Sequence, residues 1–214
     1  MEELDTREKI LQEATNLFMK YGIRSISMDD IAHHLSMSKK TLYQHFADKD
    51  ELVNTVVKSY MEQQKKLHDD IAQKSENAID ELYKIGACIR AYAENSSPSA
   101  LFDIQKFHPK VWSTWVDFKT KYIHNMVARN IKQGIKEGYF RAEVDVDIFA
   151  QYRISMIEVI HDDVSFPKNK FNLAEVHTQL FEHFIYGLCT EKGKKLYEKY
   201  KNNNKIPQLN KAAL

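Results

Sequence analysis

Apolar residues recur at the three- and four-residue spacing of an amphipathic helix along almost the whole chain. Ile10, Leu11, Ala14, Leu17, Phe18 and Tyr21 form one stripe, and Gly22 supplies its stop. That pattern predicts a first helix from about Thr6 to Tyr21. Ser27-Met28-Asp29-Asp30 starts a second, because the Ser27 hydroxyl can cap it and Asp30 can reach back. This short helix buries Ile31, Ala32 and Leu35. After Ser36 and Met37, Ser38 caps a third helix, with Leu42 and Phe46 one turn apart on its inner face. Asp48 caps a fourth, with Glu51 in the capping-box position, and its stripe of Leu52, Val53, Val56, Val57 and Tyr60 extends toward Ile71.

The same period continues to the end. A fifth helix is expected from about Asn77 to Glu94, and Pro98 opens a short sixth. Pro109 opens a seventh that runs through Trp112, Trp115, Tyr122, Val127 and Ile131 to a stop at Gly138. An eighth spans about Asp147 to Val164, and a ninth about Leu173 to Tyr200. The tail from Asn202 to Pro207 reads as disordered. No strand alternation and no internal repeat interrupt the pattern, so the expected fold is all-α with about nine helices.

Composition narrows the function. Only 6 Gly and 4 Pro occur in 214 residues, too few for the frequent turns of a sandwich or barrel or for a Gly-rich phosphate loop. Lys+Arg is 31 against 30 Asp+Glu, a formal net charge of +1. That balance excludes a wholly basic nucleic-acid coat protein but not a local basic patch. Cys88 and Cys189 are too few for a disulfide scaffold and lie in no metal-ligand spacing. No apolar run approaches a membrane span, and the polar start MEELDTREK is unlike a secretory signal. A cytoplasmic protein without a membrane role is expected.

The informative chemistry lies in residues 27–46. Two short capped helices joined by about three residues make a helix-turn-helix. Ile31 and Leu35 face Leu42 and Phe46, which fixes one helix on the other. The outer face of the second carries Lys39, Lys40, Thr41, Tyr43, Gln44 and His45, none of them acidic. In a major groove the N-terminal residues of such a helix meet base edges. Lys can donate to guanine, Gln can pair with adenine, and the Thr methyl can touch thymine. Ser27, Tyr43, His45 and Lys49 are placed for phosphate contacts, which the N–H groups of the helix capped by Ser38 can supplement. Residues 1–50 hold seven basic and nine acidic residues, yet Ser36 to Lys49 holds three lysines against one aspartate. The positive charge is therefore local to the reading helix.

Ser38-Lys39-Lys40-Thr41-Leu42-Tyr43-Gln44-His45-Phe46, followed by Asp48-Lys49-Asp50-Glu51-Leu52, resembles the DNA-binding signature of TetR-type transcriptional regulators. The upstream Ala14, Leu17-Phe18, Tyr21-Gly22, Ser25 and Ser27-Met28-Asp29-Asp30-Ile31-Ala32 fit the same pattern. Gly134-Ile135-Lys136-Glu137-Gly138-Tyr139-Phe140-Arg141 and Thr190-Glu191-Lys192-Gly193-Lys194 are similar to later family segments. Where the family usually has Gly, in the turn and after the first Lys of the reading helix, this chain has Ser36 and Lys40. The resemblance implies a three-helix DNA-binding domain over residues 1–50 and a larger helical domain over 51–214 that senses a ligand and dimerises. It implies a homodimer on a pseudo-palindromic DNA operator, commonly acting as a repressor, with no cofactor.

Two features of the larger part agree with that reading. The eighth helix is apolar on more than one side, through Ile148, Phe149, Tyr152, Ile154, Met156, Ile157, Val159 and Ile160. Such a helix must be covered on both faces, and a homodimer through the last two expected helices would cover it. Tyr92, Phe102, Phe107, Trp112, Trp115, Tyr122, Tyr152 and Met156 can wall a pocket for a small apolar or aromatic ligand, with His124 or His161 as a polar anchor. Core packing is the competing reading for each of them. His161-Asp162-Asp163 cannot converge on one metal ion, since successive helix positions point apart, and reads as a solvated helix end. No H-E-x-x-H, no G-x-S-x-G and no Cys–His spacing is present. An all-α enzyme with a His base, or a helical adaptor, are the alternatives that duplex binding would separate from a regulator.

Overall fold

The computed structural model describes residues 2–203 except Ser96 and Pro98, with side chains from Thr6 onward. Pro98 and the tail from Asn204 to Pro207 lie outside the described residues. The chain forms α1 (Glu2–Tyr21), α2 (Met28–His34), α3 (Lys39–His45), α4 (Lys49–Lys74), α5 (Ala78–Asn95), α6 (Ala100–Phe107) and α7 (Pro109–Asp117). A π-helical turn (Phe118–Ile123) leads into α8 (His124–Lys136), followed by α9 (Val146–His161), α10 (Leu173–Leu188) and α11 (Glu191–Asn202). Apart from one isolated bridge between Phe140 and Cys189, the described residues contain no extended pairing. The fold is all-α, with a helix-turn-helix at its N-terminal end.

Two compact units divide the chain: residues 1–62 with 95–116, and residues 63–94 with 117–214. In the first, α1 to α3 and the start of α4 share one core. Ile10, Ala14, Phe18, Ile31, Leu42, Phe46, Leu52 and Val53 are almost wholly buried. Ile104 of α6 and Val111 of α7 belong to the same core. In the second unit, Ile79, Ile131, Phe140, Ile185 and Leu188 form the densest part.

The expected seventh helix proves to be α7, the π turn and α8 in succession. The π turn sets Lys119 inward, where it is buried and pairs with Glu158 of α9. Phe118 and Tyr122 stack within it at 5.1 Å. No Pro or Gly marks this segment, so the helix pattern alone gives no sign of the change in pitch.

The expected ninth helix is a second correction, because it is two helices. Leu188 ends α10, Cys189 is extended, and Thr190 caps α11 by accepting from the Gly193 N–H at 3.2 Å. The break has a tertiary cause. Residues 139–141 run beside 188–190: the Arg141 N–H donates to Leu188 O at 2.9 Å, and the Thr190 N–H donates to Tyr139 O at 2.9 Å. Both approaches require glycine. A Cβ on Gly134 would sit 2.0 Å from the Phe140 ring, and one on Gly193 would sit 2.2 Å from the Tyr139 carbonyl.

Gly134→Ala should therefore lower stability by about 1–3 kcal/mol through overpacking. Gly187 has nothing within 4 Å of a built Cβ, so Gly187→Ala is the control and should be near neutral or stabilising. Urea unfolding of both variants checks this, and an undisturbed Gly134→Ala protein would contradict the packing described.

Candidate nucleic-acid interface

The helix-turn-helix is built from its caps inward. Ser27 Oγ accepts from the Asp30 N–H at 3.1 Å, while Asp30 Oδ2 accepts from the Ser27 N–H at 2.8 Å and from its hydroxyl at 2.6 Å. This is a complete capping box on α2, and the bonds from Ser27 hold the Asp30 carboxyl below its usual range. Ser38 Oγ accepts from the Thr41 N–H at 3.1 Å and starts α3. Asp48 Oδ1 accepts from the Glu51 N–H at 2.8 Å and caps α4, while Glu51 Oε2 accepts from the Ala47 N–H, one residue before the cap, at 2.8 Å. The sequence signals for all three helix starts correspond to real caps.

The turn between α2 and α3 closes through Ser36, whose φ is +52°. Its N–H donates to His33 O at 3.0 Å, and the Met37 N–H donates to Ala32 O at 2.9 Å. A left-handed conformation suits glycine and strains a side-chain-bearing residue. Ser36 adopts it because Leu42 and Phe46 must seat against α1 and α2, which fixes the angle of the two helices.

On α3, Leu42 and Phe46 point inward at 0% and 1% exposure, and the Arg7 guanidinium lies 5.0 Å over the Phe46 ring. Lys39, Lys40, Tyr43 and Gln44 are exposed and form one outward face. Thr41 and His45 flank it, half-buried, with Thr41 Oγ1 2.8 Å from Ser38 Oγ. This face is the surface that a groove would meet. Ser27 lies at the start of α2 with both its polar groups turned to Asp30.

The lysines are not equivalent. Lys39 Nζ is 2.6 Å from Asp29 Oδ2, and that partner raises its pKa. Lys40 makes no ion pair or hydrogen bond among the described residues. Lys49 is half-buried, which lowers its pKa, with Asp103, Asp50 and Asp30 opposing the shift. Any phosphate contact by Lys39 or Lys49 therefore competes with carboxylates of the protein itself.

Residues from α6 complete this unit, and the local pattern gave no sign of them. Asp103 is buried and accepts from the Arg24 N–H at 3.1 Å. His108, also buried, places Nδ1 2.8 Å from Asp50 Oδ1 at the start of α4. The partners are 79 and 58 residues apart in sequence, beyond the reach of any helical period.

The aromatic residues expected to line a ligand pocket fall in both units. In the first, Phe102 and Phe107 are exposed and share the Lys106 ammonium, while Trp112 packs partly buried on the core and Trp115 is half-buried. In the second, Tyr122 donates to Asp69 Oδ1 at 2.8 Å, Tyr152 packs 6.3 Å from Phe184, and His161 places Nδ1 2.7 Å from Ile157 O. Tyr92, His124 and Met156 are half-buried in that unit. Asp162 turns to the Ser165 N–H and hydroxyl, so the His161-Asp162-Asp163 run serves local structure. Among the described residues no His, Cys, Asp and Glu side chains gather to hold a metal ion, and no helix is long and apolar enough to cross a membrane.

The pattern of the bacterial regulatory proteins of the tetR family matches residues 10–56. The N-terminal domain belongs to the TetR family. Among relatives, the HTH-type transcriptional repressor KstR2 of Mycobacterium tuberculosis (strain ATCC 25618 / H37Rv) is 25% identical over 149 residues, covering 68% of this chain and 74% of the relative. YvaF, an HTH-type transcriptional regulator of Bacillus subtilis (strain 168), is 25% identical over 185 residues, 86% of this chain and 96% of its own. A transcriptional regulator from Saccharomonospora viridis, solved with choline, shares the fold with a TM-score of 0.70 at 19% identity, over 87% of this chain and 99% of that one. The TetR-type region of this chain thus coincides with the capped helix-turn-helix, which marks the chain as a DNA-binding transcriptional regulator.

Within the TetR-type domain, Ser36→Gly should relieve the turn. Left-handed backbone costs a non-glycine residue roughly 1–2 kcal/mol, and the added freedom of the unfolded chain returns about 0.4–1 kcal/mol of that. The expected net gain is about 0.5–1 kcal/mol in urea unfolding at unchanged m-value. A loss of stability would mean that Ser36 is not strained.

Proposed function

We propose that the protein is a ligand-responsive repressor that binds a pseudo-palindromic operator as a homodimer. The observation that carries the reading is the exposed face of α3, where Lys40, Tyr43 and Gln44 stand outward from a capped helix whose other side is locked into a core. In this reading Thr41 and Gln44 meet base edges, Tyr43, His45 and Lys49 contact phosphates, and Lys40 contacts one or the other, with Ser27, Ser38 and Lys39 in support. Two copies of α3 would enter successive major grooves about one helical turn apart.

The homodimer would form through α9 and α10. Ile148 and Tyr152 of α9 are 65% and 39% exposed, an apolar face that a second copy would cover. Residues 51–214 would supply both dimerisation and ligand sensing. A small molecule would lower operator affinity by binding more tightly to the conformation in which the two reading helices no longer match the half-sites. The repressor names among the relatives support the sign of regulation.

Lys40 and Gln44 separate the two kinds of contact. Lys40→Ala should weaken binding to every duplex and lower the slope of log affinity against log salt by about one if it touches a phosphate. It should instead alter base preference, at a cost of about 1–3 kcal/mol at one position, if it reads a guanine. Gln44→Ala should change sequence preference with the salt slope kept. Binding titrations at several salt concentrations report both, and no effect of either change would contradict the assignment of α3 as reading helix.

A further inference from the structure

Helices α5, α10 and α11 line a partly open cavity of about 140 Å³ in the second unit. None of the aromatic or histidine residues expected from sequence to bind ligand lines it. Its walls carry Tyr83 of α5, Phe181 of α10 and Tyr197 of α11, with the two tyrosine rings meeting edge-on at 6.4 Å. A protein cavity of about 150 Å³ accepts one benzene ring.

The polar side of the cavity is incomplete. His177 lines it at 5% exposure, and neither of its ring nitrogens has a hydrogen-bond partner. An unmet buried polar group is costly, so such a ring on a cavity wall is a place where a bound molecule can supply the missing partner. His161 meets the same ring edge-on at 5.2 Å and has turned its own Nδ1 to Ile157 O.

The surrounding charge is positive. Lys201 is answered by Glu182 at 3.0 Å, which leaves Arg90 as the cation of the wall with no carboxylate partner among the described residues. Arg153 of α9 stacks on the Phe181 ring at 4.9 Å, is 8% exposed, and has no carboxylate partner among the described residues. Burial pushes its pKa down to about 10. Burial, with His161 and Arg153 nearby, pushes His177 down to about 3, so its imidazole is neutral and one nitrogen carries a proton to donate. A buried cation without a counter-ion favours an anion in the adjoining space.

We propose that this cavity binds a small aromatic carboxylate, its ring among Tyr83, Phe181 and Tyr197, its carboxylate accepting from His177 in the positive field of Arg90 and Arg153. The site gives the ligand-responsive reading a chemical class of ligand. It rests on that reading only for its regulatory meaning, because binding is measured without DNA and operator affinity separately.

Benzoate titrated into the full chain tests the proposal, with calorimetry for affinity and the imidazole nitrogen signals in NMR for location. Benzyl alcohol, of the same shape without the charge, is the neutral probe. Benzoate should saturate the protein and shift the His177 ring signals, and it should bind at least about tenfold more tightly than benzyl alcohol. Arg90→Ala, at an exposed position, should weaken benzoate about three- to tenfold with benzyl alcohol unchanged. Thr178→Phe, on the cavity wall, should abolish binding of both. Absence of saturation at about 10 mM benzoate, equal affinity for the two probes, or affinity indifferent to both substitutions would each overturn it. Should Thr178→Phe fail to fold, the Arg90→Ala comparison and the His177 signals decide between the same outcomes.

Discussion

The outward face of α3 depends on the burial of two side chains, Leu42 and Phe46. A helix of seven residues cannot hold itself together in water, because its nucleation cost exceeds what its few hydrogen bonds return. α3 persists because these two residues seat in the core made by α1, α2 and α4. Their seating fixes which residues turn outward, and it also imposes the left-handed backbone at Ser36. The cap at Ser38 and the stacking of Arg7 on Phe46 then set the rotation of the helix. A disturbance anywhere in this core changes what α3 presents on its outer face.

The electrostatics of that surface are restrained. Lys39 is matched by Asp29, and Lys49 stands among three carboxylates. Phosphate affinity grows with the number of cations free to displace counter-ions. Lys40 is the lysine of α3 with no such partner among the described residues. In the reading proposed above, such a protein relies less on nonspecific attraction and more on the fit of Tyr43, Gln44 and Thr41 to a particular groove. The balance fits a regulator whose formal net charge is only +1, because a smaller nonspecific term leaves more of the discrimination to base contacts.

Local signals were legible and distant ones were not. The caps at Ser27, Ser38 and Asp48 follow from residue types three positions apart, and the structure forms each one. The inward stripe of Leu42 and Phe46 follows from the helical period. The split between α10 and α11 escaped the pattern because its cause is the pairing of residues 139–141 with 188–190. Thr190 and Gly193 were visible, but only their approach to Tyr139 shows that they start a new helix. The π turn around Lys119 likewise answers to Glu158 on another helix. Asp103 and His108 join the helix-turn-helix through partners more than fifty residues away. The aromatic residues gave no usable order, since the helical period does not distinguish a core wall from a cavity wall.

The central claim is that α3 reads DNA as one of a symmetric pair. Selection of bound sequences by the full chain from a random duplex pool tests it most directly. The account predicts enrichment of two inverted half-sites with centres about one helical turn or slightly more apart. No enrichment, or a single half-site without symmetry, would contradict it.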